Sequence, residues 1–141
     1  MLNLDLSEKI ADAVLVAGQE RRLSPLCVTV MDPGGHLIQL KRQDGASSYR
    51  PQIALGKAAG CIGLGVGGRT LAKMASERPN FVSSLSEIFP NGCVPVRGGV
   101  LIRNAKSEII GAVGVTGDSS ENDEACAIQA IQSVGLEADA G

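Results

Sequence analysis

"LCVTVMDPGGHLIQLK", residues 26–41, consists of two short apolar runs separated by the four residues D-P-G-G. Residues 26–31 and 36–41 contain the β-branched side chains that favour strands. Asp, Pro and Gly between the two runs are the residues from which tight turns are built. The stretch therefore predicts a β-hairpin, and the two strands of a hairpin belong to an antiparallel sheet.

A second hairpin is predicted nearer the end of the chain. Residues 94–103 and 108–115 are apolar runs joined by the polar turn 104–107. Glycine weakens a strand, so repeated glycines need a structural reason, such as the close approach of a backbone or a ligand. The glycines that interrupt these two strands are Gly98, Gly99, Gly111 and Gly114.

Helices are predicted before, between and after the two hairpins. The first is N-capped by Asp5 or Ser7, and the next begins near Pro51, a residue that suits a first helical turn. The closing helix is N-capped by Ser119 or Ser120. The order helix, hairpin, helix, short helix, hairpin, helix predicts an α+β sandwich, and 141 residues are expected to form one domain.

"GCIGLGVGGRTL", residues 60–71, resembles two nucleotide-binding motifs. From Gly63 it reads G-x-x-x-x-G-R-T, one residue away from a phosphate-binding loop, and it also contains G-x-G-x-x-G. Both motifs require a preceding buried strand, whereas residues 51–60 have a helical pattern and Arg69 replaces the phosphate-binding lysine. We predict a glycine-rich bend between two helices, the second N-capped by Thr70, and no nucleotide cofactor.

Composition and charge exclude several classes of protein. The chain has 13 basic and 15 acidic residues and only 2% aromatic residues, so neither a basic surface nor stacking side chains favour nucleic-acid binding. The four cysteines lack metal-site spacing and a neighbouring histidine, so no metal is expected. The first residues lack a basic signal region, and no apolar run approaches ~18 residues. We therefore predict no membrane association and a cytoplasmic location.

Two longer motifs resemble the signatures of the GlcG/HbpS-like family. "VMDPGGHLIQLKRQDGASSYRPQIALGKA", residues 30–58, matches a D-x-x-G hairpin, an R-x-D-G-A loop and an A-x-x-K-A helix. "VPVRGGVLI" (94–102) and "EIIGAVGVTGDSSENDEACA" (108–127) match the second signature. The resemblance covers residues 5–136. It implies a profilin-like sandwich with a five-stranded antiparallel sheet flanked by helices, and a homo-oligomer.

The resemblance also implies a set of shared positions on one loop, one helix, two strand ends and a helix start. These are Asp44, Gly45, Ala46, Lys57, Gly98, Gly99, Gly114, Gly117, Asp123 and Glu124. Lys57 either reaches the surface or points into a pocket as an anion contact or base. Asp123 and Glu124 either stabilise the helix start or hold Lys57 or a ligand. Asp44 is either a turn residue or a general base.

Three functions are open at this point. Backbone N–H groups bared by the strand glycines, with Arg97 and Lys57 nearby, favour a pocket for a small carboxylate or oxo-acid in a catabolic pathway. A second hypothesis is a cofactor-independent isomerase or lyase in which Lys57 and Asp44, with Asp123 or Glu124, move protons. A third is haem binding, which the family includes. His36 is the only histidine, and the first-helix histidine of PduO-type relatives has no counterpart here.

Overall fold

The computed structural model describes residues 1–141 and contains five helices and five strands. The helices are α1 (Leu4–Glu20), α2 (Arg50–Leu64), α3 (Gly68–Glu77), α4 (Pro79–Ile88) and α5 (Ser120–Ser133). The strands are β1 (Cys27–Met31), β2 (Leu37–Arg42), β3 (Gly99–Arg103), β4 (Ile109–Thr116) and β5 (Glu137–Asp139). The predicted α+β fold is confirmed.

The strands form one sheet in the order β2-β1-β4-β3-β5, with every neighbouring pair antiparallel. Both predicted hairpins, β1–β2 and β3–β4, are present, and β1 pairs with β4 to join them. The fifth strand pairs with β3 at the sheet edge. Its three residues, E-A-D, carry no strand pattern, so only the family resemblance implied it.

Helices cover both faces of the sheet. Helices α1 and α5 pack on one face, where aliphatic side chains such as Ile10, Val14, Val113 and Ile131 form the larger core. Helix α2 packs on the other face against Met31 and neighbouring small side chains. Helices α3 and α4 form a separate small cluster beyond the end of α2. The layered arrangement places the start of α5 and the middle of α2 at the same end of the sheet.

Two element ends differ from the sequence prediction. Helix α1 is N-capped by Asn3, whose Oδ1 accepts a hydrogen bond from the Leu6 N–H at 2.8 Å, and not by Asp5 or Ser7. Ser7 is buried and donates to the Asn3 carbonyl at 2.7 Å. Strand β3 begins at Gly99 rather than residue 94, because Gly98 has a φ of +112° and the preceding residues pack against α2.

The glycine-rich stretch is a bend between α2 and α3, as predicted. Gly65, with a φ of +68°, ends α2, and Gly67 rather than Thr70 caps α3. A side chain at Gly67 would collide with the Ala140 backbone, and the Arg69 N–H donates to the Ala140 carbonyl at 2.9 Å. In a phosphate loop the first turn of the helix binds the anion. Here the first turn of α3 contacts the backbone of Ala140 instead.

No helix has the length and apolar character needed to cross a membrane. Groups of three or more His, Cys, Asp or Glu side chains close enough to hold a metal ion are also absent.

Candidate functional site

Lys57 and Asp123 form a buried ion pair between α2 and the first turn of α5. Lys57 Nζ lies 3.3 Å from Asp123 Oδ2 and donates to the Val115 carbonyl at 2.9 Å. Asp123 Oδ1 accepts from the Asp118 N–H at 2.9 Å. The two side chains are only 3% and 2% exposed, and of the roles left open by the sequence, contact with Lys57 is the one that the geometry of Asp123 shows.

Burial sets the protonation chemistry of this pair. Desolvation lowers the pKa of Lys57 below its ordinary value, although the Asp123 charge opposes that shift. Desolvation likewise raises the pKa of Asp123, against the hydrogen bond from Asp118 and the charge of Lys57. Each group is thus moved toward its neutral form by burial and held in its charged form by its partner. Such a pair could exchange a proton if a substrate reached it.

The signature glycines surround this pair and pack tightly. A side chain at Gly98 would come within 2.8 Å of Lys57 Nζ, and one at Gly99 within 2.6 Å of the Lys57 carbonyl. Gly114 lies opposite Gly99 in the sheet, and a side chain there would collide with the Ala54 carbonyl. These glycines let α2 lie directly on β3 and β4. None of the four cavities of the molecule is lined by Lys57 or by these glycines.

A second ion pair lies beside the first. Glu124, only 3% exposed, accepts two hydrogen bonds from Arg69 Nε at 2.9 Å and one from Nη2 at 2.6 Å. Arg69 was considered from sequence only as a substitute for the phosphate-loop lysine. Arg50 is a further residue that sequence reasoning did not select, and its Nη1 donates to Thr116 Oγ1 at 2.7 Å. Arg97, which precedes Gly98 in sequence, is half-buried, and its side chain makes no hydrogen bond or ion pair.

The R-x-D-G-A loop makes no hydrogen bond or ion pair with Lys57 or Asp123. Asp44 is exposed, and Gly45 takes a φ of +85° while Ala46 is buried beneath the loop. Asp44 forms neither a hydrogen bond nor an ion pair with Lys57. It lines an open cavity of about 510 Å³ at the end of α1 instead. Gly117, with a φ of +143°, packs against the Pro25 carbonyl.

His36 lies away from both the Lys57 pair and the Asp44 cavity, beside a cleft of its own. It borders a cleft of about 250 Å³ between the β1–β2 turn, α2 and the end of α4, whose lining includes Ala59, Ile62, Phe89 and Pro90. The imidazole is 81% exposed. Its Nδ1 lies 3.2 Å from Asp32 Oδ1, and its Nε2 makes no hydrogen bond. Hydrogen bonds from the His36 and Gly34 N–H groups help lower the pKa of Asp32, which keeps that carboxylate ionised.

The protein is a small α+β sandwich in which a five-stranded antiparallel sheet lies between helices. A buried Lys–Asp pair lies where α2 crosses the strand glycines. The chain matches the family described as "Haem degrading protein HbpS-like" over residues 2–132. It therefore belongs to the HbpS-like family. Comparison with proteins of curated function finds no significant match.

Solved structures agree with this assignment. The haem complex of PduOC superposes with a TM-score of 0.83 at 20% identity, covering 96% of each chain. HbpS gives a TM-score of 0.82 at 26% identity, covering 95% of this chain and 90% of that one. The Klebsiella pneumoniae protein ORFY gives 0.78 at 26% identity, covering 93% and 88%. The five-stranded fold implied by the sequence resemblance is the fold of these proteins.

Proposed function

We propose that this chain is a haem-binding protein and that His36 supplies the axial ligand. The observation that carries the proposal is the Asp32–His36 pair beside an apolar cleft. A carboxylate on Nδ1 fixes the tautomer of an imidazole and leaves Nε2 free, which is the usual arrangement of a metal-ligating histidine. The family description and the haem-bound PduOC structure support the choice of haem as the ligand.

The residues around His36 provide an apolar surface against which an exposed haem would pack. Phe89 and Ile62 provide apolar contacts for a macrocycle in the 250 Å³ cleft. A second cavity of about 450 Å³, lined by Leu2, Leu4, Ile38 and Ile110 among others, lies on the other side of the β1–β2 turn and shares Gly34 with the cleft. Neither cavity has a lining Lys or Arg that would pair with a propionate. Bound haem would supply an iron centre for redox or oxygen chemistry, and this chain would supply the ligand and part of the apolar surface.

The test is a haemin titration of the purified protein followed by its Soret band. We expect a band that saturates at stoichiometric haem, is lost or shifted in His36→Ala, and is weakened by about tenfold in affinity in Asp32→Asn. Tyr49→Phe is the matched control, because Tyr49 is exposed and borders neither cavity. A titration without a Soret band, or the same band in His36→Ala, would contradict the proposal.

The small carboxylate or oxo-acid expected from the sequence is a second candidate ligand. One observation favours it: four of the eight residues that line the largest cavity are polar, and they include Arg42, an unpaired cation, together with Asp44. The cavity contains no His, Cys, Met or Tyr, so it offers none of the usual side-chain ligands of haem iron. Carboxylate binding is therefore proposed at the R-x-D-G-A loop and not at Lys57.

A homo-oligomer, a cytoplasmic location and a part in a catabolic pathway complete the proposal, on the strength of the family resemblance. Light scattering on the purified chain tests the first of these, and a mass equal to one chain of 14.5 kDa would contradict it.

A further inference from the structure

The cavity at the end of α1 carries two opposite charges that do not pair with each other. It is lined by Leu15, Gly18, Gln19, Leu23, Pro25, Arg42, Gln43 and Asp44. Arg42 and Asp44 are both exposed, and neither side chain makes a hydrogen bond or an ion pair with any residue. Lys41, the residue before Arg42, pairs with Glu8 and Asp12 on α1 instead. The cavity therefore presents a free guanidinium and a free carboxylate to whatever enters it.

The end of α1 adds to the negative side of this cavity. Gly18 and Gln19 belong to the last turn of α1, where the helix macrodipole places partial negative charge. The nearby carbonyl groups of Gly18 and Gln19 already accept from the N–H groups of Leu23 and Arg22. A cationic group is thus favoured near Asp44 and α1, while an anionic group is favoured at Arg42, whose planar fork matches a carboxylate.

The remaining lining sets the size and polarity of the ligand. Leu15, Leu23 and Pro25 provide an apolar wall, and the Gln19 side chain can supply both a donor and an acceptor. The Gln43 side chain is partly engaged, because its Oε1 accepts from the Leu26 N–H at 2.6 Å. A volume of about 510 Å³ lies within the range of small-molecule sites.

We infer that this cavity binds a small zwitterion bearing an ammonium and a carboxylate group, of which a free α-amino acid is the simplest kind. The carboxylate pairs with Arg42, the ammonium with Asp44 and the end of α1, and an apolar side chain contacts Leu15 and Leu23. The inference rests on the second candidate function, since it names the class of small carboxylate. It does not depend on haem binding at His36.

The test compares matched ligands on the full chain by calorimetric titration. L-Alanine, L-lactate and pyruvate differ only in the group on the second carbon, and L-leucine with its 2-hydroxy and 2-oxo counterparts forms a larger series. A thermal-shift screen of the proteinogenic amino acids precedes the titrations and selects the side chain. We expect an amino acid to bind at least about tenfold more tightly than its 2-hydroxy and 2-oxo counterparts.

Two variants report on the two charges. We expect Arg42→Gln to weaken amino-acid binding by about tenfold or more, and Asp44→Asn to remove the preference for the ammonium group. Arg22→Gln and Glu20→Gln are matched controls, because both residues are exposed near the end of α1 and do not line the cavity. The Soret titration should be the same for Arg42→Gln as for the unchanged chain.

Three results would overturn the inference. The first is that no amino acid binds at about 10 mM. The second is that Arg42→Gln and Asp44→Asn both bind the amino acid as tightly as the unchanged chain does. The third is that a 2-oxo or 2-hydroxy acid binds more tightly than its amino acid. The last result would leave the carboxylate candidate intact and exclude only the zwitterion, so the two failures are distinguishable.

Discussion

Lys57 lies on a helix, as the sequence predicted, but its side chain has different neighbours from those expected. The sequence predicted that Lys57 either reaches solvent or points into a pocket. In the structure it does neither, because Asp123 and the Val115 carbonyl satisfy its Nζ within the protein. The catalytic hypothesis needs Lys57 and Asp44 at one site, whereas no hydrogen bond or ion pair joins them and only Asp44 borders a cavity.

Removing the positive charge of Lys57 is expected to destabilise the fold strongly. In Lys57→Met the Asp123 carboxylate stays buried without a partner charge, which costs about 3–5 kcal/mol in the free energy of unfolding. Urea unfolding measures the loss, and Lys73→Met on the exposed face of α3 is the control.

The double variant Lys57→Met, Asp123→Asn separates charge from packing. We expect it to be more stable than Lys57→Met alone, because the amide carries no charge and its oxygen can still accept from the Asp118 N–H. A Lys57→Met protein as stable as the unchanged chain would show that the pair is not a buried ion pair. Folded Lys57→Met protein that loses a turnover found in the unchanged chain would support the catalytic hypothesis instead.

Helix α2 is the element that decides what the strand glycines do. The sequence indicated only that Gly98, Gly99 and Gly114 needed a close neighbour, and it could not tell a ligand from a backbone. In the structure the neighbour of Gly99 and Gly114 is the backbone of α2, at the Lys57 and Ala54 carbonyls, and that of Gly98 is the Val115 carbonyl and the Lys57 side chain. The strand glycines therefore form a surface on which α2 packs, and not the anion-binding surface that the sequence suggested.

Gly114→Ala is expected to push α2 away from β4. The new methyl group would overlap the Ala54 carbonyl, and we expect a loss of about 3 kcal/mol or more in the free energy of unfolding. Gly135→Ala is the control: its φ of +79° makes a side chain unfavourable by about 1–2 kcal/mol, but nothing lies near the added atom. Equal urea midpoints for the two variants would mean that α2 can retreat from the sheet at little cost.

At the scale of the whole molecule, burial makes all four cysteines poor nucleophiles, three of them in or against the sheet and Cys93 in the α3–α4 cluster. Cys27, Cys61, Cys93 and Cys126 are buried and free. Desolvation raises the pKa of Cys27 to about 11 and that of Cys61 to about 12, and it also raises the pKa of the other two thiols. Thiolate is the reactive form, so it is scarce at neutral pH in the folded chain.

The thiols should therefore react only when the fold opens. We expect four thiols per chain to react with an aromatic disulfide reagent near pH 8 in denaturant, and slow reaction without it. Cys93, at 9% exposure the least buried of the four, should be the first to react. A rapid native-state reaction of Cys27 or Cys61 would contradict the layered packing described above.

The sequence by itself determined the two hairpins, the starts of α2 and α5 and the helical context of the glycine-rich stretch, because turn chemistry, capping and periodicity act over a few neighbouring residues. It missed the Asn3 cap and the Gly67 cap, since several polar or glycine residues compete at each of those ends. No local pattern marks β5, whose three residues join the sheet through their pairing with β3, and only the family resemblance implied a fifth strand.

Only the tertiary structure decided which side chains meet. Lys57 and Asp123 are 66 residues apart, and Arg69 and Glu124 are 55 apart, so no local pattern links them. Family resemblance placed Asp44 with Lys57 as one set, but the sheet puts the end of α1 and the middle of α2 in different layers. Contacts of this kind depend on how the layers stack and not on spacing along the chain, which is why the packed Lys57 pair, the His36 cleft and the Arg42–Asp44 cavity are distinct places in this protein.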